Sequence, residues 1–146
     1  MITLIYHSVA NHTYSDEELS LFLSYIKKKN SRLNITGVLF YHRGNILQII
    51  EGEDDTVNTL FEKIKIDNRH INVIKLVHFK ITKRSYQNWS MAFKHLTDRD
   101  WAKVKGYLNI EDKQIGLPEH SDKSSYLRVI IDSFMNENEI LSNQLN

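Results

Sequence analysis

Three polar side chains occupy positions where the surrounding pattern predicts apolar residues. Gln48 interrupts the apolar run Ile46–Ile50, and Asn30 and Asp67 fall on the apolar faces of two predicted helices. A buried amide or carboxylate costs free energy unless it finds hydrogen-bond partners. Together these groups offer donors and acceptors in a mostly apolar slot, which suits a flat polar heterocycle. Tyr6, on a neighbouring predicted strand, is a further candidate, and the sequence leaves open which face it occupies.

Each of these residues also has an ordinary structural interpretation. Asn30 can cap the end of its helix, Asp67 can serve the following turn, and Tyr6 can be a core residue with a satisfied hydroxyl. Metal and thiol chemistry are not expected. The seven histidines are scattered without metal-ligand spacing, and the chain has no cysteine, which excludes disulfides and thiolates.

The composition is that of an ordinary globular domain. The chain has 146 residues, of which 41% are apolar and 25% charged, with a net charge of +1. This balance gives no electrostatic reason to expect nucleic acid or an anionic membrane as a partner. Neither a signal-peptide pattern nor an apolar run long enough to span a membrane is present in the sequence. A soluble cytoplasmic protein is therefore expected.

Hydrophobic periodicity predicts the elements that must position these side chains. Strands are predicted over Met1–Ala10, Ile35–Tyr41, Ile46–Ile50, Val73–Ile81 and Trp89–Phe93. One helix is predicted from the Ser15–Glu18 capping box to about Asn30, and a second from Glu53 to about Asp67. A shorter helix over Asp98–Leu108, a loop over Asn109–Lys123 and a long helix over Ser124–Leu145 complete the chain.

The order β-α-β-β-α-β-β predicts an α+β fold, a ferredoxin-like sheet with both helices on one face. Ile5, Leu47 and Ile49 would then point to the other face, which needs a cover. The helical spacing of apolar residues in Ser124–Leu145 makes this segment the candidate. Residues 1–95 are thus expected to form the binding domain, and residues 96–146 a helical extension packed on the sheet.

Taken in order, these residues resemble the BLUF domains, which are flavin-binding blue-light photoreceptors. The resemblance covers residues 2–95 and rests on LIYHS, Asn30 followed by NITG, ILQIIEG, IDNRH and NWSM. No single motif is specific, but the ordered set at these spacings is. The resemblance implies a ferredoxin-like sheet with the cofactor, FAD or alternatively FMN, between the two helices.

The resemblance also implies a role for each matching residue. Tyr6 would donate an electron and a proton to the excited flavin, Gln48 would be the hydrogen-bond switch, and Trp89 and Met91 would respond to it on strand five. The implied cofactor-binding residues are Tyr6, Asn30, Gln48, Lys63, Asp67, Arg69 and His70. Lys29 and Lys63 depart from the family, in which many members carry Asn or His and Arg there. A lysine at 63 would contact a flavin carbonyl as a point charge rather than a fork.

Three functions remain open at this point. The first is a stand-alone photoreceptor, not itself an enzyme, that signals through its C-terminal helices to a homo-oligomer or a separate signalling protein. The second is a light-independent ferredoxin-like module that binds a small ligand or RNA, although an RNA reader needs exposed aromatics and a basic surface. The third, an acylphosphatase-like enzyme, needs a phosphate loop with an arginine, and His7–Asn11 has neither glycine nor arginine.

Overall fold

The computed structural model describes residues 1–113 and 123–135. Their contacts form two compact units, residues 1–95 and a helical unit that begins at Leu96. The elements of the first unit are β1 (Ile2–Ala10), α1 (Asp16–Arg32), β2 (Thr36–His42), β3 (Asn45–Gly52), α2 (Asp54–Lys65), β4 (His70–Lys80) and β5 (Ala92–His95).

The five strands form one sheet in the order β4-β1-β3-β2-β5. Neighbouring strands are antiparallel except β2 and β5, which are parallel. One apolar cluster joins Leu23 of α1 and Phe61 of α2 to Leu4 and Ile50 of the sheet, so both helices pack on the same face. The predicted ferredoxin-like α+β fold is confirmed.

Two local features that the sequence predicts, a helix capping box and a tight hairpin turn, set the positions of α1 and β3. Ser15 and Glu18 form the capping box at the start of α1, with the Ser15 hydroxyl accepting from the Glu18 N–H at 3.2 Å. The β2–β3 hairpin turns through Arg43 (φ 45°) and Gly44 (φ 86°), the two positive φ values that favour a two-residue turn. The turn fixes the register of β3, which places Gln48 opposite Leu39 on β2 and Tyr6 on β1.

β4 differs from the predicted alternation. Val73 and Val77 are predicted on one face, but Val73 packs against the helix-side cluster whereas Val77 pairs with Ile5, which lies outside that cluster. The register shift between Ile5 and Tyr6 falls between Val73 and Val77 and causes the change. A second shift, between His7 and Val9, lies near Asn72, which takes a φ of 52°. A bulge inserts a residue and exchanges the faces of all that follow.

β5 also begins three residues later than predicted, at Ala92 rather than Trp89. The carbonyl of Ser90 accepts a hydrogen bond from the Asn30 side chain at 3.1 Å and is thereby diverted from the strand ladder. Trp89 keeps one strand-like bond, in which its carbonyl accepts from the Gly37 N–H at 3.0 Å. Trp89 and Met91 therefore belong to the connection between β4 and β5.

The second unit contains α3 (Asp98–Lys113) and α4 (Lys123–Met135). α3 continues five residues beyond the predicted Leu108, so the predicted loop over Asn109–Lys123 is wrong at its start. Val104 of α3 is buried, as are Leu127, Ile131 and Phe134 of α4. The predicted continuation to Leu145 lies outside the described residues, and the cover of the sheet by this extension stays a prediction. In the described ranges, no helix combines the length and apolarity needed to cross a membrane.

Candidate functional site

A narrow cavity of about 50 Å³ lies between α1, α2 and the sheet. Its walls include the apolar side chains of Phe22 and Ile26 from α1 and of Leu60 and Ile64 from α2. Its polar lining contains all seven predicted cofactor-binding residues, Tyr6, Asn30, Gln48, Lys63, Asp67, Arg69 and His70. A few polar groups set in apolar walls are typical of small-molecule sites.

Gln48 is hydrogen-bonded to two of the other predicted photochemical residues, Tyr6 and Met91. The Tyr6 hydroxyl donates to Gln48 Oε1 in a short hydrogen bond, and Gln48 Nε2 donates to Met91 Sδ at 3.6 Å. Tyr6 and Gln48 face each other across β1 and β3, which brings their side chains onto the same side of the sheet. Both ends of the Gln48 amide thus have a partner, although the side chain is buried.

Tyr6 is held as a protonated phenol. Its side chain is completely buried against Phe61, with ring centroids 5.6 Å apart. Burial raises the pKa of the Tyr6 hydroxyl far above that of a free phenol, and the negative charge of Asp67 raises it further. Because the charged form is disfavoured, Tyr6 keeps its proton and remains a hydrogen-bond donor in the ground state.

Asn30 joins the end of α1 to the β4–β5 connection. Its side-chain amide donates to the Ser90 carbonyl at 3.1 Å, while its backbone carbonyl accepts from Leu33 and Ile35 at 3.1 and 2.9 Å. The residue is 2% exposed. The C-cap of α1 is Leu33, so the capping interpretation of the Asn30 side chain is wrong, and that side chain lies on the cavity wall.

Asp67 lies beyond the end of α2, not within it as predicted. Its Oδ1 accepts from the Arg69 backbone N–H at 2.9 Å, which closes a local turn between the helix and β4. The Arg69 guanidinium binds both carboxylate oxygens, with contacts of 2.6 to 3.1 Å. The same guanidinium lies 5.2 Å from the ring centre of Phe22 and 5.3 Å from that of Tyr25. This ion pair forms one edge of the cavity.

The Asp67–Arg69 pair predicts a pH dependence of stability. Hydrogen bonds from Arg69 lower the pKa of the Asp67 carboxyl to about 2, below the value of about 3.9 for an unfolded aspartate. The contribution of the pair is therefore complete above about pH 5 and is lost as the pH falls toward 2. Asp67→Asn, which keeps the turn acceptor, is expected to lower the free energy of unfolding by about 1–2 kcal/mol at pH 6, allowing for partial exposure.

Urea unfolding of the wild type and the variant between pH 6 and pH 2.5 tests this prediction. The difference between the two proteins should shrink steadily as the pH is lowered. A difference that stays constant over this range would contradict the assigned charge on Asp67.

His70 lines the cavity beside Tyr6. Its Nδ1 is 2.9 Å from the Ser8 hydroxyl, and its ring centre is 6.2 Å from that of Tyr6. Burial lowers the pKa of His70 below the ordinary value for histidine. The ring is therefore neutral at pH 7, and it can form hydrogen bonds at the wall of the cavity.

The structure separates Trp89 from Met91. Met91 is 1% exposed and contacts Gln48, whereas Trp89 does not line the cavity and stacks on Tyr86, with ring centres 6.1 Å apart. Of the expected pair, Met91 thus contacts the Gln48 amide, whereas Trp89 contacts Tyr86 within the connection. Within the described residues, no three histidine or acidic side chains are grouped in a way that could hold a metal ion.

Two features of the site are absent from the sequence predictions. Tyr25 lines the cavity although it falls off the apolar stripe of α1, where Phe22 and Ile26 lie. Glu51, three residues after Gln48, is a buried carboxylate to which the sequence analysis assigns no role. Its only sequence signal is its place inside the ILQIIEG motif.

The fold and the slot together define a small ferredoxin-like module with groups suited to a flat heterocycle. The family model described as BLUF, sensors of blue-light using FAD, matches residues 1–92. The chain belongs to this family of blue-light photoreceptors.

Individual proteins show the same likeness. Over 93 residues the chain is 34% identical to the photoactivated adenylate cyclase subunit beta of Euglena longa, covering 63% of this chain and 11% of that protein. The photo-activated state of BlsA matches with a TM-score of 0.71 and 26% identity over 94% of this chain and 96% of BlsA. The dark-state structure of BlrB, a BLUF protein, matches with a TM-score of 0.66 and 25% identity over 91% and 96%. The chain therefore spans about a ninth of the cyclase subunit and nearly all of the two structures.

Proposed function

We propose that the chain binds FAD in the cavity between α1 and α2 and converts blue light into a new hydrogen-bond pattern at Gln48. The observation that supports this most is the buried series Tyr6–Gln48–Met91, in which Tyr6 and Gln48 line the cavity. The Tyr6 hydroxyl is a proton donor, the Gln48 amide both donates and accepts, and the Met91 sulfur is an acceptor in the β4–β5 connection.

The residues present fit the isoalloxazine ring of a flavin. Apolar side chains from the two helices would hold its faces, and the amides of Asn30 and Gln48 and the Asp67 carboxylate would meet its polar edge. Lys63 and Arg69 would supply positive charge at the mouth of the slot. When bound, FAD supplies a chromophore that becomes a strong oxidant on absorbing blue light.

Tyr6 is the electron and proton donor in this proposal. Its buried hydroxyl already points at Gln48 Oε1, so a proton released on oxidation of the phenol has an acceptor within hydrogen-bond distance. Burial holds the proton on Tyr6 until that moment, because the ground-state phenol is a weak acid with a raised pKa. Return of the electron and proton restores Tyr6, so there is no net reaction.

The photochemical step would change the groups to which the Gln48 amide is hydrogen-bonded. Tautomerisation would turn the amide oxygen into a donor and leave both atoms in place. Rotation of the amide would instead put its oxygen, in place of its nitrogen, beside Met91. The thioether sulfur only accepts hydrogen bonds, so the Gln48–Met91 bond is then lost. Light would thus shift the population between two arrangements of the β4–β5 connection and of β5 after it.

The phosphate tail of FAD has a candidate outlet between the C-terminal turns of α1 and α2. A second cavity of about 330 Å³ shares Tyr25, Lys29 and Lys63 with the first. Lys28 and Arg32 also line it. Cations from two helices at the open end of the slot would attract the phosphates of FAD or FMN.

The double variant Lys28→Gln/Arg32→Gln is expected to weaken FAD and FMN binding by about three- to tenfold at low salt. Two exposed charge contacts contribute roughly this much, and salt screens them. Riboflavin, which has no phosphate, is the matched control ligand, and its dissociation constant should change by less than about twofold. Titration by quenching of flavin fluorescence gives all three values. An equal loss for riboflavin would contradict the outlet.

The chain is proposed to act as a sensor and not as an enzyme, with a second copy or a separate signalling protein as its output. The light-independent RNA-binding alternative finds no support in the described residues. Among their exposed large apolar side chains, Tyr25 is the one aromatic, and it lies on α1 rather than on the sheet. An RNA-binding sheet needs aromatic side chains on its open face.

Reconstitution of the purified chain with FAD tests the proposed function. The complex should be yellow, and its flavin absorption band should shift to the red under blue light and return in the dark. A chain that takes up no flavin, or a flavin complex whose spectrum is unchanged by light, would overturn the proposal.

A further inference from the structure

Glu51 is a buried carboxylate, 1% exposed, near the end of the central strand β3, which also carries Gln48. Side chains alternate along a strand, so Glu51 lies on the opposite face from Gln48. The residues opposite it on both neighbouring strands are threonines. Thr3 and Thr36 donate to its two carboxylate oxygens at 3.3 and 3.5 Å. The buried carboxylate of Glu51 is therefore hydrogen-bonded by a threonine on each side.

The remaining donors to Glu51 come from the start of the β4–β5 connection. The backbone N–H groups of Ser85 and Tyr86 donate to its two carboxylate oxygens at 3.0 Å each. Arg84 Nη1 donates to the Thr36 hydroxyl at 3.1 Å and to the Glu51 backbone carbonyl at 3.2 Å. Hydrogen bonds to a carboxylate are roughly twice as strong as neutral ones. Glu51 therefore fixes the start of this connection to β3.

The end of the same connection is held from the helix side of the sheet. The Ser90 carbonyl accepts from Asn30 at 3.1 Å, and Met91 Sδ accepts from Gln48 at 3.6 Å. Between the two ends, Tyr86 and Trp89 are joined by a 3.0 Å backbone hydrogen bond and by ring stacking. The connection is thus attached to β3 at two points. Glu51 holds Ser85 and Tyr86 through several hydrogen bonds, and Gln48 holds Met91 through a single contact with the thioether sulfur.

We propose that Glu51 is a positioning residue that sets where Trp89 and Met91 lie relative to Gln48. This inference rests on the proposed function, because it takes Gln48 as the light-driven switch. Glu51 and Gln48 share β3, so the anchor stays in place when the amide changes partners. Movement is then confined to the residues after Tyr86 and passes into β5, rather than spreading through the whole connection.

Hydrogen exchange of the FAD-bound protein in the dark and under blue light tests this role. Glu51→Gln keeps the size of the side chain but turns one acceptor oxygen into an NH₂ group, which faces a backbone N–H. The Ser85 or Tyr86 amide is expected to exchange at least about tenfold faster in the dark. FAD binding and the red shift should persist, because Tyr6 and Gln48 are unchanged, but the light-induced exchange difference at β5 should shrink by at least half.

Thr3→Val is the matched control, since it removes a donor to the same carboxylate without touching the connection. It is expected to lower thermal stability while leaving exchange at Ser85–Met91 like the wild type. The same exchange pattern in both variants would show a merely structural role and overturn the proposal. If Glu51→Gln does not fold, Arg84→Met loosens the same anchor, and unchanged exchange of the connection in that variant would also overturn it.

The exchange measurement separates this inference from the proposed function. Faster dark exchange in Glu51→Gln needs no photochemistry, so its presence supports the anchor even if the wild type shows no red shift. A wild type that shifts normally, with unchanged dark exchange in Glu51→Gln, overturns the anchor alone.

Discussion

Replacing Gln48 by leucine is expected to leave FAD bound and to abolish the light-induced red shift. Leucine fills a similar volume, so the cavity keeps its shape, but it offers neither a donor nor an acceptor. The Tyr6 hydroxyl loses its acceptor and Met91 loses its donor, so no group remains whose reorientation could change the hydrogen bonds at the site. The affinity for FAD should fall by no more than about tenfold, the value of about one hydrogen bond. The difference spectrum recorded during blue illumination should be flat.

Gln87→Leu is the control for this variant. Gln87 is exposed and lies in the β4–β5 connection, so it receives the same chemical change outside the cavity. Its photocycle should match the wild type. Normal photocycling of Gln48→Leu would refute the switch role of Gln48.

Replacing Tyr6 by phenylalanine is the second change with a large expected effect. Phenylalanine preserves the packing against Phe61 but has no proton to give and is much harder to oxidise. Gln48 Oε1 is left without its Tyr6 donor in a buried site, which is expected to cost about 1–3 kcal/mol of stability. The variant should bind FAD, lose the red shift and show stronger flavin fluorescence, because the route that quenches the excited chromophore is removed.

Tyr14→Phe provides the matched comparison. Tyr14 stacks on Phe22, with ring centres 5.5 Å apart, but does not line the cavity, and its buried hydroxyl has no hydrogen-bond partner among the described residues. Removing that hydroxyl should leave stability and the photocycle close to those of the wild type. A red shift retained in Tyr6→Phe, or one lost equally in Tyr14→Phe, would contradict the assignment of Tyr6 as the donor.

The sequence predicts the site well where a polar residue breaks a strong local pattern. Gln48 and Asn30 are recognisable because an amide replaces an apolar residue at a fixed period, and both line the cavity. The face of Tyr6 is open in the sequence because it depends on the pairing of β1 with β3, which joins residues far apart in the chain. A single register difference would place Tyr6 on the other face.

The remaining differences have the same origin in non-local contacts. The faces of β4 change at bulges that the residue pattern does not show, and β5 is shortened because Asn30 captures the Ser90 carbonyl. Glu51 is missed because an acid at the end of a strand usually lies in solvent, and its partners come from a connection more than thirty residues later. Secondary-structure propensity and hydrophobic periodicity depend on residues that are close in the chain, so neither predicts such contacts.

The central claim is that light rearranges the hydrogen bonds of Gln48, and infrared spectroscopy tests it most directly. Light-minus-dark difference spectra of the FAD-bound chain should contain amide bands that move when glutamine is labelled with ¹³C or ¹⁵N. These bands should be retained in Gln87→Leu and absent in Gln48→Leu. A reversible red shift of the flavin with no glutamine-sensitive band would contradict the account.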